Sequence, residues 1–305
     1  MNTQTTEALV EHMPADRSVN PAQVGPTQRP KKVFPHPKPL DHHGPARVVA
    51  VCNQKGGVGK TTTTINLGAA LADYGRRVLL VDFDPQGALS VGLHQTPRES
   101  DTTIYDVLMD RSVHAKEAMV PTPIEGMDLL RSNIQLSAAE LQLVTQVARE
   151  QALTRLIEPL LPDYDVILID CQPSLGLLTV NALTAATGVI VPVECEYFAM
   201  LGVALLEETI ATVQERLNPS LEIEGLLATM YDGRTVHGRE VLARLLERFG
   251  DQVFHTVVGR TIRFPETTVA GTPITSHDPS SPGAKAYRQL AREVLSRWEP
   301  ASLRG

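Results

Sequence analysis

From Arg47 onward, short β-branched apolar runs alternate with stretches whose apolar positions recur every three or four residues. RVVAVC, RVLLVDFD, DVILID, GVIVPVE, EIEGLLATMYD and VFHTVV predict strands, and residues 60–74, 137–158, 175–187, 199–217, 236–249 and 283–298 predict helices. That alternation predicts an α/β fold: a mostly parallel, twisted sheet with helices on both faces. Gly75 predicts a left-handed cap after the first helix, and Ser137 with Glu140 predicts a capping box opening 137–158.

Residues 1–45 show no such periodicity. They hold eight prolines among Ser, Thr and Gln, a composition that buries too little surface to offset its ordering entropy, so a disordered arm is expected. No apolar stretch of signal-peptide type follows the start. The cationic part of the arm, Lys31, Lys32, His36, Lys38, His42 and His43, is either a solvated linker or a contact for DNA or a protein partner. Residues 46–300 carry no internal repeat and read as one domain, with 301–305 as a tail.

Composition narrows the function classes. The net charge of −7 excludes a generally basic nucleic-acid binder but leaves room for a local basic patch, and 4% aromatics disfavour base stacking. The longest apolar runs are too short to cross a bilayer. Cys52, Cys171 and Cys195 lie in or beside strand-like runs without zinc spacing, so they read as buried thiols of a reducing cytoplasm.

The first strand runs into NQKGGVGKTTTT and then a helix, the context of a phosphate-binding loop. Gly56, Gly57 and Gly59 let backbone N–H groups around Val58 turn inward, and the helix start adds its positive end. Lys60 is placed to reach the outer phosphates, and Thr61, followed by Thr62, to offer a hydroxyl to Mg²⁺. Gln54 stands where the standard expression has glycine, and a second lysine, Lys55, precedes the glycines. Asp82 and Asp84 end one strand and Asp170 another, where open α/β sheets bind ligands. A single aspartate there is as easily a turn residue; three beside a glycine loop point to nucleotide and metal.

KGGVGKTT, DFDPQG and IDCQPSLGLLTVNAL resemble the deviant Walker A, A′ and B motifs of the ParA-type ATPases that partition chromosomes and plasmids, within the wider P-loop group that also holds MinD. The likeness continues through PVECEYFAMLG, TMYDGRT, VVGRTIRFPETTVAGTPI and SPGAKAYRQLAREV to about residue 298. It implies ATP and Mg²⁺ as cofactors, with Lys55 as the lysine that crosses to a partner's nucleotide in an ATP-dependent homodimer. It further implies Asp84 as the water-orienting residue, Thr61, Asp84 and Asp170 as the Mg²⁺ set, and Asp82 as support for the loop and metal shell. Arg234 and Arg263, with Arg260 nearby, match the family's contacts to non-specific duplex DNA; the alternative is that each pairs with a nearby acid, Arg234 with Asp232 and Arg263 with Glu266. A ParB-type partner that stimulates hydrolysis and a cytoplasmic, nucleoid-associated location are implied as well; the arm is compatible with an added polar or regulatory partner. The departures are Cys171 and Gln172, and VVGR where IPR is usual, from which altered packing near the nucleotide is expected. Competing readings are a MinD-like regulator reaching membrane through the last helix, a redox ATPase with a cysteine-held cluster, and a non-catalytic scaffold. Packing of that helix on the domain is the expected outcome.

Overall fold

The computed structural model describes residues 24–196 and 199–298. Strands β1 (Arg47–Val51), β2 (Val78–Phe83), β3 (Met119–Pro121), β4 (Met127–Leu130), β5 (Val166–Cys171), β6 (Gly188–Glu194) and β7 (Glu222–Thr229) form one sheet in the order β3-β4-β2-β5-β1-β6-β7. Every pairing is parallel except β3 with β4. The helices are α1 (Lys60–Asp73), α2 (Ala88–Gly92), α3 (Ile104–Met109), α4 (Ala115–Ala118), α5 (Leu136–Leu143), α6 (Ala152–Ile157), α7 (Leu177–Ala185), α8 (Ala199–Arg216), α9 (Val236–Phe249), α10 (Arg263–Ala270), α11 (Ile274–His277) and α12 (Pro282–Trp298).

The central strands are apolar along most of their length because each feeds two cores, and their acids stand at the C-terminal ends. Val48, Ala50 and Cys52, with Leu79, Val81, Ile167 and Ile169, face the layer of α3 and α5–α9. Val49, Val78, Leu80 and Leu168 face α1, α11 and α12. On that second face Tyr287, Leu290, Ala291 and Val294 of α12 are buried, so the apolar stripe that suggested a membrane helix is spent on the domain. Among the described residues no helix is long and apolar enough to cross a membrane.

Three local expectations change. The stretch 137–158 is not one helix: α5 ends at Leu143 and Ala148 adopts φ 52°. The break is held from outside, since the Asn181 side chain accepts from the Leu153 N–H at 3.1 Å and donates to the Arg149 carbonyl at 2.9 Å. The expected capping box is absent because Ser137 Oγ donates to the Ile134 carbonyl at 2.7 Å and Glu140 turns toward Gly176, where any side chain would collide with it. VFHTVV runs beside β7 without becoming a strand. Phe254 and Val258 donate to the Leu226 and Ala228 carbonyls, but the intervening His255 and Thr256 N–H groups go to the buried Glu293 carboxylate. Gly75, by contrast, takes the left-handed conformation expected, at φ 74°.

The arm also departs from expectation. Residues 1–23, and 301–305, lie outside the described residues, but 24–45 lie along the domain as a strap. Thr27 and Phe34 are buried, Arg29 donates to the Val253 and Phe254 carbonyls at 2.7 and 2.9 Å, and His36 meets Tyr74 edge-on. At the far end Asp165 accepts from the Gly44 N–H at 2.9 Å and contacts His43 Nδ1 at 2.8 Å. Beyond this, Leu40, Gly44 and Pro45 share a cavity with Trp298, which stacks near Arg47 and donates to Glu224. Burying one Phe contributes roughly 1.5–3 kcal/mol, and the prolines that weaken a core also restrict the free chain, lowering the cost of ordering it.

Candidate functional site

The parallel strands deliver their C-terminal loops to one edge of the sheet, where the direction of chain crossover reverses on either side of β1. The loop 55–59 leaves β1 there and opens α1. Gly57 and Gly59 sit at φ 77° and 88°, a conformation open to glycine at little cost, and a Cβ added to Gly57 would meet nothing within 4 Å. Lys60 is only 7% exposed. Its ammonium donates to the Lys55 carbonyl at 3.2 Å, and no carboxylate among the described residues lies within ion-pairing distance. A buried cation so placed beside a ring of N–H groups fits a polyanion.

The carboxylates converge on the same edge. Asp82 and Asp170 are register partners on β2 and β5. Thr61 Oγ1 donates to Asp170 Oδ2 at 2.7 Å. Burial, the Asp82 charge and, more weakly, the Asp84 charge push Asp170 up to about 8, against the lowering effects of Thr61 and Lys60. Asp82 is pushed up to about 7 chiefly by burial, and accepts from Ser90 N and Oγ at 2.8 and 2.7 Å. Asp84 follows, accepting from the Gln86 N–H at 2.9 Å. Among the described residues no three His, Cys, Asp or Glu form a metal cage; one hydroxyl and one carboxylate suit Mg²⁺, which keeps waters and takes substrate phosphates as ligands. The residues therefore fit a Mg²⁺-nucleoside triphosphate.

Lys55 is brought to Glu194 and Glu196, and Arg260 approaches the same two carboxylates. Arg234 pairs with Asp232 at 2.8 Å, and Arg263 with Glu266 at 2.9 Å. The three arginines are thus each ion-paired within the chain, although all three keep half or more of their side-chain surface exposed. Exposed pairs of this kind are screened by solvent and easily exchanged for another partner. The departures sit at the site itself: Cys171 packs against Cys52 beneath it, and the Gln172 amide nitrogen is buried without a hydrogen-bond partner.

One feature was not read from the sequence. A cavity of about 350 Å³ opens beside Gly59 and Thr62, walled by Thr229, Met230, Val258, Gly259, Phe264 and Pro265. Thr229 Oγ1 ties it to the loop by donating to the Val58 carbonyl at 2.8 Å. Its size and mostly apolar walls suit a nucleobase, and the VVGR departure forms part of it. A second cavity, about 420 Å³ between α3, α4 and α6, touches none of the motif residues.

Comparison with known proteins agrees with this geometry. A family model described as an AAA domain matches residues 46–223. An uncharacterised protein of Mycobacterium tuberculosis is 59% identical over 90% of this chain and 86% of its own length. The sporulation initiation inhibitor protein Soj of Bacillus subtilis is 46% identical over 82% of this chain and 98% of its own. A crystal structure from Mycobacterium smegmatis, named cobyrinic acid a,c-diamide synthase and containing an ATP analogue and magnesium, is 44% identical with a TM-score of 0.71, covering 83% of this chain and 96% of that one. With a loop, a carboxylate edge and a sheet order that all agree, the chain belongs to the ParA-type family of P-loop ATPases.

Proposed function

We propose that this ATPase partitions DNA: ATP with Mg²⁺ draws two copies into a dimer that holds duplex DNA without sequence preference, and hydrolysis releases it. The observation that carries the reading is the second loop lysine, Lys55, beside a complete Thr61–Asp170 pair. The N–H groups of 56–59 and Lys60 would hold the phosphates, Thr61 and Asp170 the cation, and the cavity at Thr229–Phe264 the base. Bound Mg²⁺ supplies charge neutralisation at the phosphate oxygens. Lys55 offers a cation to a facing triphosphate and to charge developing on its transferring group. Asp84 orients the attacking water.

Arg234 and Arg263 are proposed to contact DNA phosphates, which positions the dimer without reading bases. A ParB-type protein bound to centromere-like DNA is the proposed stimulator of hydrolysis, and a nucleoid-associated cytoplasmic location follows. The relative named as a diamide synthase raises amide-forming chemistry as another reading, but a glutamine-cleaving cysteine must be reachable, and Cys52, Cys171 and Cys195 are all buried.

The decisive experiment measures phosphate release with and without non-specific duplex and a ParB-type partner, alongside light scattering with a non-hydrolysable ATP analogue. Dimer formation on the analogue and stimulation by DNA with partner are expected; a monomer under both conditions overturns the proposal.

A further inference from the structure

Lys55 does not project freely from its loop. Its Nζ lies 2.8 Å from Glu194 Oε2 and 3.0 Å from Glu196 Oε2. Arg260 approaches the remaining oxygens, 3.5 Å from Glu194 Oε1 and 3.9 Å from Glu196 Oε1. Two cations thus share two carboxylates on a sheet edge where the other acids are committed elsewhere. Glu194 ends β6 and its side chain is 11% exposed, whereas Glu196, in the turn that follows, is half exposed. The loop is fastened to the same strand a second time: Asn53 accepts from the Lys55 N–H at 2.9 Å and donates to the Pro192 carbonyl at 2.6 Å. Burial alone would lower the Lys55 pKa; hydrogen bonds and charge from both glutamates outweigh it and hold the lysine above its ordinary value.

We propose that Glu194 and Glu196 are positioning residues that latch Lys55 inside its own subunit in the nucleotide-free protein, so that a facing triphosphate must displace them before the lysine crosses. The latch rests on the reading of Lys55 as an inter-subunit lysine. It also gives Arg260 a role distinct from Arg234 and Arg263. After Lys55 leaves, Arg260 remains on the vacated carboxylates and keeps them from repelling incoming phosphates. An ammonium held by two carboxylates is also a poorer nucleophile than a free one, which makes the latch visible without any nucleotide.

The test is amine-reactive labelling of nucleotide-free protein, followed at Lys55 by mass spectrometry, in the wild type and in Glu194→Gln, Glu196→Gln and the double variant. The Lys55 labelling rate is expected to rise about fivefold in the double variant, the size of one good partly buried ion pair. The concentration of non-hydrolysable ATP analogue giving half-maximal dimerisation is expected to fall by a similar factor, with kcat at saturating ATP unchanged. Unchanged labelling, or weaker dimerisation in either single variant, overturns the latch. Should Glu194→Gln fail to fold, Glu196→Gln, whose side chain is half solvent-exposed, decides by the same readouts. Lys55→Ala separates the two readings: if it dimerises like the wild type, the inter-subunit role fails while the labelling result still judges the latch.

Discussion

The Thr61 hydroxyl donates to the Asp170 carboxylate across 2.7 Å, joining the first turn of α1 to the end of β5. This bond, a longer one donated by Thr64 Oγ1 to Asp170 Oδ1, and Lys60 favour the charged carboxylate against burial and two neighbouring acids. Thr61→Ala removes a proposed metal ligand as well as that bond. Apparent Mg²⁺ affinity should drop roughly 10–100-fold, read as the Mg²⁺ concentration giving half-maximal ATP turnover, with the circular dichroism spectrum unchanged.

Lys60 and Asp84 should separate binding from turnover. Lys60→Ala is expected to abolish nucleotide-dependent behaviour altogether, seen as loss of fluorescent-ATP binding. Asp84→Ala should retain binding and lose turnover by at least about 100-fold, leaving an ATP dimer that persists on DNA. Dissociation of that variant at the wild-type rate would contradict the role given to Asp84.

Arg234 and Arg263 already have acidic neighbours, so the proposed DNA contacts would exchange one weak pair for another. Arg234→Glu or Arg263→Glu should remove duplex binding and leave ATP-dependent dimerisation intact. With two arginines from each of two copies, about four phosphates are neutralised and the log–log salt slope should be about −3.6. Filter binding across a salt series reads this directly; a slope near zero speaks against phosphate contacts.

Asp165 sets a pH limit on the strap. Burial works to raise its pKa, but the N–H groups of Arg77 and Gly44 and the His43 ring outweigh that and hold it below the ordinary 3.8. A carboxyl depressed in the folded state contributes stability present above its unfolded pKa and lost as pH falls through the folded one. Hydrogen exchange at residues 42–46 should therefore stay protected at neutral pH and lose protection only below about pH 4. Asp165→Asn should show the faster exchange already at pH 7.

The sequence disclosed the chemistry better than the connections. The phosphate loop is contiguous, so Gly56–Thr62 is readable from local pattern, and Asp82 and Asp170 follow apolar runs that only buried parallel strands require. Features assembled from distant residues were not readable. Asn181 breaks the helix at 148 from another element, Glu293 diverts the N–H groups of 255 and 256 away from β7, and the cavity beside the loop joins Gly59 to residues 229–230 and 258–265. The acids that hold Lys55 lie 139 and 141 positions along the chain. The strands β3 and β4 are too short to announce themselves by alternation, and the strap is kept by a few anchors that its average composition conceals.

Trp298 is the chain's single tryptophan, and it stands where the strap meets α12 and the start of β1, at the pole opposite the phosphate loop. Tryptophan emission, excited selectively above the tyrosine band, therefore originates far from the phosphate loop, free of direct quenching by a base there. Any ATP-induced change in that emission would be a signal carried through the length of the sheet, and the native protein needs no added dye to display it.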